Sequence, residues 1–376
     1  LDLSAFGGSD IVKTLFAENP GVIVQVANGS KGAFEDILDD AGVGYAVIGK
    51  PCNERTISIG GDYSFDIDAL RDVWYGKSYL LDRKQSMNGQ AEERYNNYKK
   101  QPLGIRFKET FTGKLAQYGM DADRREKSGY RAAIIREKGT NGEREMAYCL
   151  YLAGFAVKDV MMTDLVSGRE TLDDINFIVF CGGFSNSDVL GSAKGLSGAF
   201  LYNPKAKAAL DRFYARKDTL SLGICNGCQL MVELGLLGER KSKMLHNTSH
   251  KFESAFVDLT IPQNNSLLLG SLAGSKLGIW VAHGEGKFSL PEGEEVYNVV
   301  AKYSYSQYPG NPNDSDFAVA GIASADGRHR AMMPHLERAI FPWQNAYYPA
   351  ERKGDEVTPW AEAFANALAW VKACKA

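Results

Sequence analysis

The sequence predicts an α/β protein, a doubly wound and mostly parallel sheet over residues 129–376, preceded by a small α+β unit over residues 1–80. Three observations predict it. From residue 129 to residue 224, short apolar runs alternate with helical stretches, as in crossover units of a parallel sheet covered on both faces. After Leu234 the pattern shifts to shorter alternating segments, which read as added antiparallel strands. The composition of the 376 residues, 44% hydrophobic and 24% charged with 39 Gly and 12 Pro, is that of a globular protein with room for roughly two to three domains. It excludes disordered, collagenous and low-complexity classes, and no fixed-period repeat suggests a solenoid.

The elements follow in order. Residues 22–26 form a β-branched run that reads as a strand, and residues 31–40 carry Phe34, Ile37 and Leu38 at helical spacing. Residues 45–48 and 56–59 read as two further strands, and residues 66–75 as an amphipathic helix. Residues 81–128 are rich in Lys, Arg, Gln, Asn and Glu with weak periodicity, the signature of a connector. Strands are then expected at 131–136, 156–161, 175–181 and 219–224. Helices are expected at 142–153 and at 204–216, the latter with Pro204 in its first turn.

Charge and cysteine usage narrow the function classes. A formal net charge of −3 counts against a nucleic-acid binder, and no apolar run reaches the 18 or so residues of a membrane span. The six cysteines, Cys52, Cys149, Cys181, Cys225, Cys228 and Cys374, are scattered through a chain without a signal peptide, which predicts a reducing, cytoplasmic compartment. The chain opens on Leu1, and apolar Leu3 and Phe6 read like the interior of a domain, so a piece of a longer protein is expected.

The strongest chemical signal lies in residues 222–230, LGICNGCQL, where an expected strand ends in Cys225 and a helix begins at once. Such a nucleophile elbow exposes its side chain on a strained turn, with Gly223 and Gly227 letting strand and helix approach. The helix N-terminus stabilises a thiolate there. Two other readings compete: Cys225 and Cys228 as a redox dithiol, or as half of a zinc site. A structural zinc needs four ligands and no second Cys-x-x-Cys or spaced His pair is present; a redox pair usually follows the first strand of its domain. Cys228 reads instead as a small buried side chain.

The second signal is His335-Leu336-Glu337. In an extended segment this spacing puts both side chains on one face, so Glu337 can orient His335 while His335 takes a proton from Cys225. Alone, a His-x-Glu is more often a surface pair; joined to the elbow it completes the logic of a Cys, His, Glu triad. The third signal is Gly182-Gly183 at the carboxyl end of a buried strand, where open α/β sheets place their ligand crevice. There Gly183 N–H and the N–H of Asn226 could form an oxyanion hole. Without the elbow, the Gly-Gly pair would be read as a tight turn.

These elements, in the order Gly-Gly loop, Gly-x-Cys-x-Gly-x-Gln, then Pro-His-x-Glu, resemble the class I (triad) glutamine amidotransferases, whose fold is flavodoxin-like. Residues 136–147 (REKGTNGEREMA), 181–190 (CGGFSNSDVL), GICNGCQ and 282–288 (AHGEGKF) are similar, more narrowly, to the formylglycinamide ribonucleotide amidotransferase family. Residues 15–26 and 70–74 resemble the last part of that family's synthetase region, so the resemblance covers nearly the whole chain and implies its carboxy-terminal third. Asn186 and Ser187 stand where the family pattern has Tyr and Gly, and Leu336 where it has Pro; the first departure falls on the loop that covers the glutamine pocket.

The resemblance implies Cys225 as nucleophile of a γ-glutamyl thioester, His335 as general base and acid, Glu337 as the orienting carboxylate, and Gln229 as a holder of substrate glutamine. Gly182, His283 and Glu285 are expected near the site; for the last two a structural turn on Gly284 and Gly286 is an equal reading. His246, His250 and His329 are read as surface or packing residues. The resemblance further implies no cofactor and no metal for the glutaminase, with glutamine as its substrate. Formylglycinamide ribonucleotide, ATP and Mg2+ would serve a synthetase that activates the glutaminase when occupied. The alternatives are a stand-alone γ-glutamyl thiol hydrolase of the same fold and a catalytically silent regulatory module.

Overall fold

A computed structural model describes residues 1–7, 10–238 and 241–375. The chain divides into two compact units, Leu1–Leu81 and Asp82–Ala376.

In the first unit, helices α1 (Ile11–Leu15) and α2 (Lys31–Asp40) precede a hairpin of β1 (Thr56–Ile59) and β2 (Tyr63–Asp66). Gly60 and Gly61, at φ 63° and 85°, make its turn because left-handed backbone carries no Cβ penalty in glycine. Asp66 accepts from the backbone N–H of Ala69 at 2.7 Å, fixing the start of helix α3 (Ile67–Gln85). This helix outlasts the expected 66–75, since no proline and only one glycine, Gly76, interrupts it. The strands expected at 22–26 and 45–48 are not formed: neither run belongs to a ladder, and Val22 and Ile23 are 88% and 80% exposed. A β-branched run is stable as a strand only when a neighbour pairs its backbone and a core takes one face.

The second unit opens with α4 (Gln90–Asn97), in the segment expected to connect. Arg94 of this helix pairs with Asp82 and with Glu253, each at 2.9 Å, and Arg106 exchanges backbone bonds of 2.8 Å with Lys276. The segment is thus packed within the second unit.

That unit continues through β3 (Arg131–Arg136), β4 (Thr140–Asn141), α5 (Glu143–Ala153), β5 (Ala156–Met161), α6 (Met162–Ser167), β6 (Phe177–Phe180) and β7 (Gly182–Gly183). Next come α7 (Lys194–Tyr202), α8 (Pro204–Ala215), β8 (Leu220–Ile224), α9 (Asn226–Glu233) and β9 (Lys243–Leu245). Strands β10 (Glu253–Thr260), β11 (Lys276–His283), β12 (Lys287–Ser289), β13 (Asn298–Tyr303), β14 (Val319–Ala323) and β15 (His329–Met332), then helix α10 (Ala361–Lys375), complete it.

Nine strands form one sheet in the order β11-β10-β13-β14-β15-β8-β6-β3-β5. Its β15-β8-β6-β3-β5 half is parallel, as the α/β class requires, and the rest extends it antiparallel. Every residue of β6 and β8 is buried, which demands cover on both faces. Phe155, Phe177, Phe180, Phe213 and Phe364 are fully buried in that cover, each contributing about 1.5–3 kcal/mol of transfer free energy. Because β3 leads first to β5 and then back across to β6, a crevice opens at the carboxyl ends of the central strands. Among the described residues no helix is long and apolar enough to cross a membrane.

Candidate active site

Cys225 joins β8 to α9 at that crevice, with φ 53° and ψ −107°, a conformation that costs a non-glycine residue about 1–3 kcal/mol. The surroundings over-determine it. Cys225 N–H donates to Met332 O at 3.0 Å, and Cys225 O accepts from Gln229 N–H at 3.0 Å, closing the first helical turn. A Cβ on Gly223 would lie 2.5 Å from Gly227 O, and one on Gly227 would lie 2.0 Å from Phe180 O. Only glycine at both positions lets α9 sit this close to β8 and β6.

The thiol of Cys225, 6% exposed, donates to Ala282 O at 3.6 Å. His335 follows β15 and is fixed by its N–H to Trp280 O at 2.9 Å. Its Nδ1 and Glu337 Oε1 are 2.7 Å apart, with the two side chains 3% and 1% exposed. With Nδ1–H donated to the carboxylate, Nε2 is left toward Cys225. Burial alone would lower the His335 pKa; the Glu337 carboxylate and the Cys225 sulfur outweigh it and push it up to about 10.

Gly182 explains how these groups meet. A Cβ there would be 2.8 Å from His335 Cε1 and 3.3 Å from Cys225 Cβ, so both side chains close on the space a side chain would fill. Gly183, at φ 110°, pairs with Thr140 in the short β4–β7 ladder. Phe184 N–H donates to Gly139 O at 2.8 Å, which makes that pair a non-hydrogen-bonded one and leaves Gly183 N–H outside the ladder. As the first residue of α9, Asn226 has an N–H without an intrahelical acceptor.

The side chains of Asn226 and Gln229 build the neighbouring wall. Asn226 donates through Nδ2 to Asp188 Oδ1 (3.2 Å) and Gln229 Oε1 (3.0 Å), and accepts from Ser185 N–H (3.2 Å). Gln229 Nε2 donates to Glu285 O at 2.7 Å. His283 is 2% exposed, and its ring nitrogens have no partner among the described residues; burial and the charge of His335 push its pKa down to about 3, so it is neutral. The turn after it is anchored by Asn247, which donates to His283 O at 2.7 Å and accepts from Gly286 N–H at 3.0 Å. Gly286 permits it, since a Cβ there would strike the His283 ring at 2.4 Å, whereas Gly284 is open.

Cys228 is fully buried, and burial pushes its thiol well up. It forms no disulfide, and among the described residues no group of three or more His, Cys, Asp or Glu could hold a metal ion. His246 and His250 are exposed and stack on each other, while His329 packs on Tyr214 with Nδ1 3.0 Å from Ser221 Oγ. Sequence reasoning gave no role to Asp188, Ser185 or Asn247. The only signal for Asp188 was its place in the loop after Gly183.

A family profile described as a CobB/CobQ-like glutamine amidotransferase domain matches residues 129–371. The chain is 35% identical to the probable phosphoribosylformylglycinamidine synthase of Arabidopsis thaliana, named as chloroplastic/mitochondrial, over 100% of this chain and 28% of the relative. It is 37% identical to phosphoribosylformylglycinamidine synthase of Homo sapiens, over 96% of this chain and 29% of the relative. The chain therefore spans less than a third of the length of these relatives. Among solved structures, PurLQS from Thermotoga maritima aligns with a TM-score of 0.50 and 26% identity, over 66% of this chain and all of that one. With the profile covering the whole parallel half of the sheet, the elbow and the His335–Glu337 loop, the chain belongs to the glutamine amidotransferase family.

Proposed function

We propose that this chain is the glutaminase portion of a phosphoribosylformylglycinamidine synthase, releasing ammonia from glutamine through Cys225, His335 and Glu337. The observation that carries the reading is the buried His335–Glu337 pair, 2.7 Å apart, set against a strained elbow cysteine. His335 Nε2 holds the proton it has taken from the Cys225 thiol, Glu337 holds the resulting imidazolium through Nδ1–H, and Cys225 Sγ attacks the glutamine carboxamide carbon as the thiolate. The oxyanion is met by the N–H groups of Asn226 and Gly183, a class of contact worth about 3–4 kcal/mol of barrier per donor. His335 returns the proton to the departing nitrogen, and ammonia leaves a γ-glutamyl thioester. Water, deprotonated by His335, then hydrolyses that thioester to glutamate and frees Cys225.

In this reading the ammonia serves an ATP-dependent conversion of formylglycinamide ribonucleotide to formylglycinamidine ribonucleotide in purine synthesis. ATP and Mg2+ belong to that step and to the remainder of the protein; no step on this chain runs through them. The free cysteines support a reducing compartment such as the cytoplasm. Against a stand-alone γ-glutamyl hydrolase stands the similarity to the synthases over 96–100% of the chain, including its first 80 residues.

The test is peptide mass analysis after incubation with 6-diazo-5-oxo-L-norleucine, a glutamine-mimicking diazoketone. A single adduct on the Cys225 peptide is expected. Cys225→Ala is expected to abolish both adduct and glutamine hydrolysis and Cys228→Ala to leave hydrolysis in place; equal loss from both would remove the proposal.

A further inference from the structure

Next to the triad carboxylate stands a cation that the chemistry above does not use. Arg338 Nε lies 3.9 Å from Glu337 Oε1 and 3.5 Å from Oε1 of Glu145, in the first turn of α5, and its Nη2 donates to Asn141 Oδ1 at 2.7 Å. Its backbone N–H donates to His335 O at 3.3 Å, which holds it to the turn that carries His335 and Glu337. Gly142 leaves room for the meeting, since a Cβ there would stand 3.3 Å from Glu337 Oε1 and 3.4 Å from Arg338 Nη2. Asn141 lies on β4, where it pairs with Gly182 while Thr140 pairs with Gly183. Arg338 therefore ties the His335–Glu337 turn to the ladder that carries Gly182 and Gly183. A guanidinium suits this place because its planar fork of five donors reaches several acceptors at once.

The charges need such a tie. Glu337 is 1% exposed, and its Oε2 has no partner among the described residues. A carboxylate taken out of water is costly unless a cation stays beside it. His335 supplies one only while it is protonated, and the imidazole is neutral once its proton has gone to the departing nitrogen. Arg338 stays charged throughout. Among the described residues it is the only Lys or Arg within ion-pair distance of Glu337. The other titratable groups packed here add little charge. Cys149 of α5 donates to Glu337 O at 3.9 Å and Cys181 follows β6; burial pushes both thiols well up, so both are uncharged. Glu143 faces Arg136 at 3.7 Å, and His283 is neutral. That leaves Glu145, Glu337 and Arg338 as the charges around Cys225 and His335.

We propose that Arg338 is a positioning residue of this site: it holds Glu337 and Asn141 together, so that the carboxylate behind His335 and the strand carrying Gly183 keep one register through the reaction. The proposal rests on the amidotransferase reading above. It gives Arg338 two separable links. The charge link acts on His335: a second cation beside Glu337 opposes the imidazolium, so removing it strengthens the hold of His335 on its proton. The geometric link runs through Asn141 to Gly182 and Gly183, where a displaced oxyanion donor is felt in the rate rather than in substrate binding.

The experiment follows kcat and KM for glutamine hydrolysis, Tm, and the pH dependence of Cys225 alkylation by 6-diazo-5-oxo-L-norleucine. The diazo carbon must take a proton from the imidazolium before dinitrogen leaves, so the alkaline limb of that profile follows the His335 proton. Arg338→Met cuts both links: kcat is expected to fall about ten- to a hundredfold with KM within about twofold of the parent, and the alkaline limb to move up by about one unit. Arg338→Lys keeps the cation and loses the fork, so the parental limb returns while kcat recovers only in part. Asn141→Ala cuts the geometric link alone and lowers kcat with the limb in place. An unmoved limb in Arg338→Met overturns the proposal. So does a joint fall of kcat and Tm that Arg338→Lys does not relieve, which would mark Arg338 as a structural prop. Should Arg338→Met not fold, parental kcat in both Arg338→Lys and Asn141→Ala overturns it instead. An unaltered chain that neither hydrolyses glutamine nor reacts at Cys225 would overturn the amidotransferase reading, and this proposal with it.

Discussion

His335 and His283 are driven to opposite charge states by their surroundings, although both are buried at one site. The carboxylate of Glu337 raises the first to about 10, while burial beside a cation lowers the second to about 3. Pairs pushed apart in this way mark acid–base assignments. Glu337→Gln is expected to lower kcat for glutamine hydrolysis by about two to four orders of magnitude, since the imidazole loses both its orientation and its charge partner. The same pair makes stability depend on pH. A histidine whose folded pKa lies above the ordinary 6.5 contributes stability that is complete below pH 6.5 and lost as pH rises toward 10. The Tm gap between the parent chain and Glu337→Gln should therefore narrow across that window; a constant gap would show that the pair does not titrate as argued. His283 has the reverse sign, favouring the folded state above pH 6.5 and destabilising it as pH falls toward 3. At Gly182, adding the Cβ of alanine forces the His335 ring aside, and a fall in kcat of about ten- to a hundredfold with little change in Tm is expected.

At the scale of elements, the elbow depends on how closely a helix can approach two strands. Gly227→Ala would drive a Cβ to 2.0 Å from Phe180 O and is expected to cost about 1–3 kcal/mol in denaturant unfolding, together with activity, because α9 carries Cys225 with it. On β15 the effect runs the other way. Arg330 is fully buried, its Nε and both Nη atoms have no partner among the described residues, and burial pushes its pKa down to about 9. Nothing in the structure explains a guanidinium there. Arg330→Leu is therefore expected to raise the unfolding free energy by about 1–4 kcal/mol, read as a higher denaturant midpoint at an unchanged slope. A loss of stability would reveal a partner for the charge. The Ser185–Asp188 turn stores strain of a different kind, with Asn186, Ser187 and Asp188 all at positive φ.

For the whole molecule, the relevant fact is that the chain spans under a third of its relatives' length. If the ammonia is used by an ATP-dependent step in the remainder, glutamine hydrolysis by this chain alone should be slow. Full-rate hydrolysis in a coupled glutamate assay, without the remainder present, would show the two activities to be independent.

The sequence by itself determined the family, the α/β class and most elements of the parallel half: 131–136, 156–161 and the glycine-flanked cysteine were legible because burial on both faces and a strand-to-helix glycine pattern are local properties. It also singled out Cys225, His335 and Glu337 as the residues to propose for the chemistry, since an elbow and a His-x-Glu are short motifs. It misread residues 22–26 and 45–48, because β-branched composition reports only that a segment suits a sheet, not that a neighbouring strand is there to pair with it. Tertiary structure alone decided that Gly182 sits between His335 and Cys225, that His283 is neutral beside a charged His335, and that Asp188 and Glu285 share one wall. Those residues are far apart in the chain, and their meeting follows from strand order: β6, β8, β11 and β15 bring their ends to one crevice, and electrostatics there depend on distances that no linear spacing encodes.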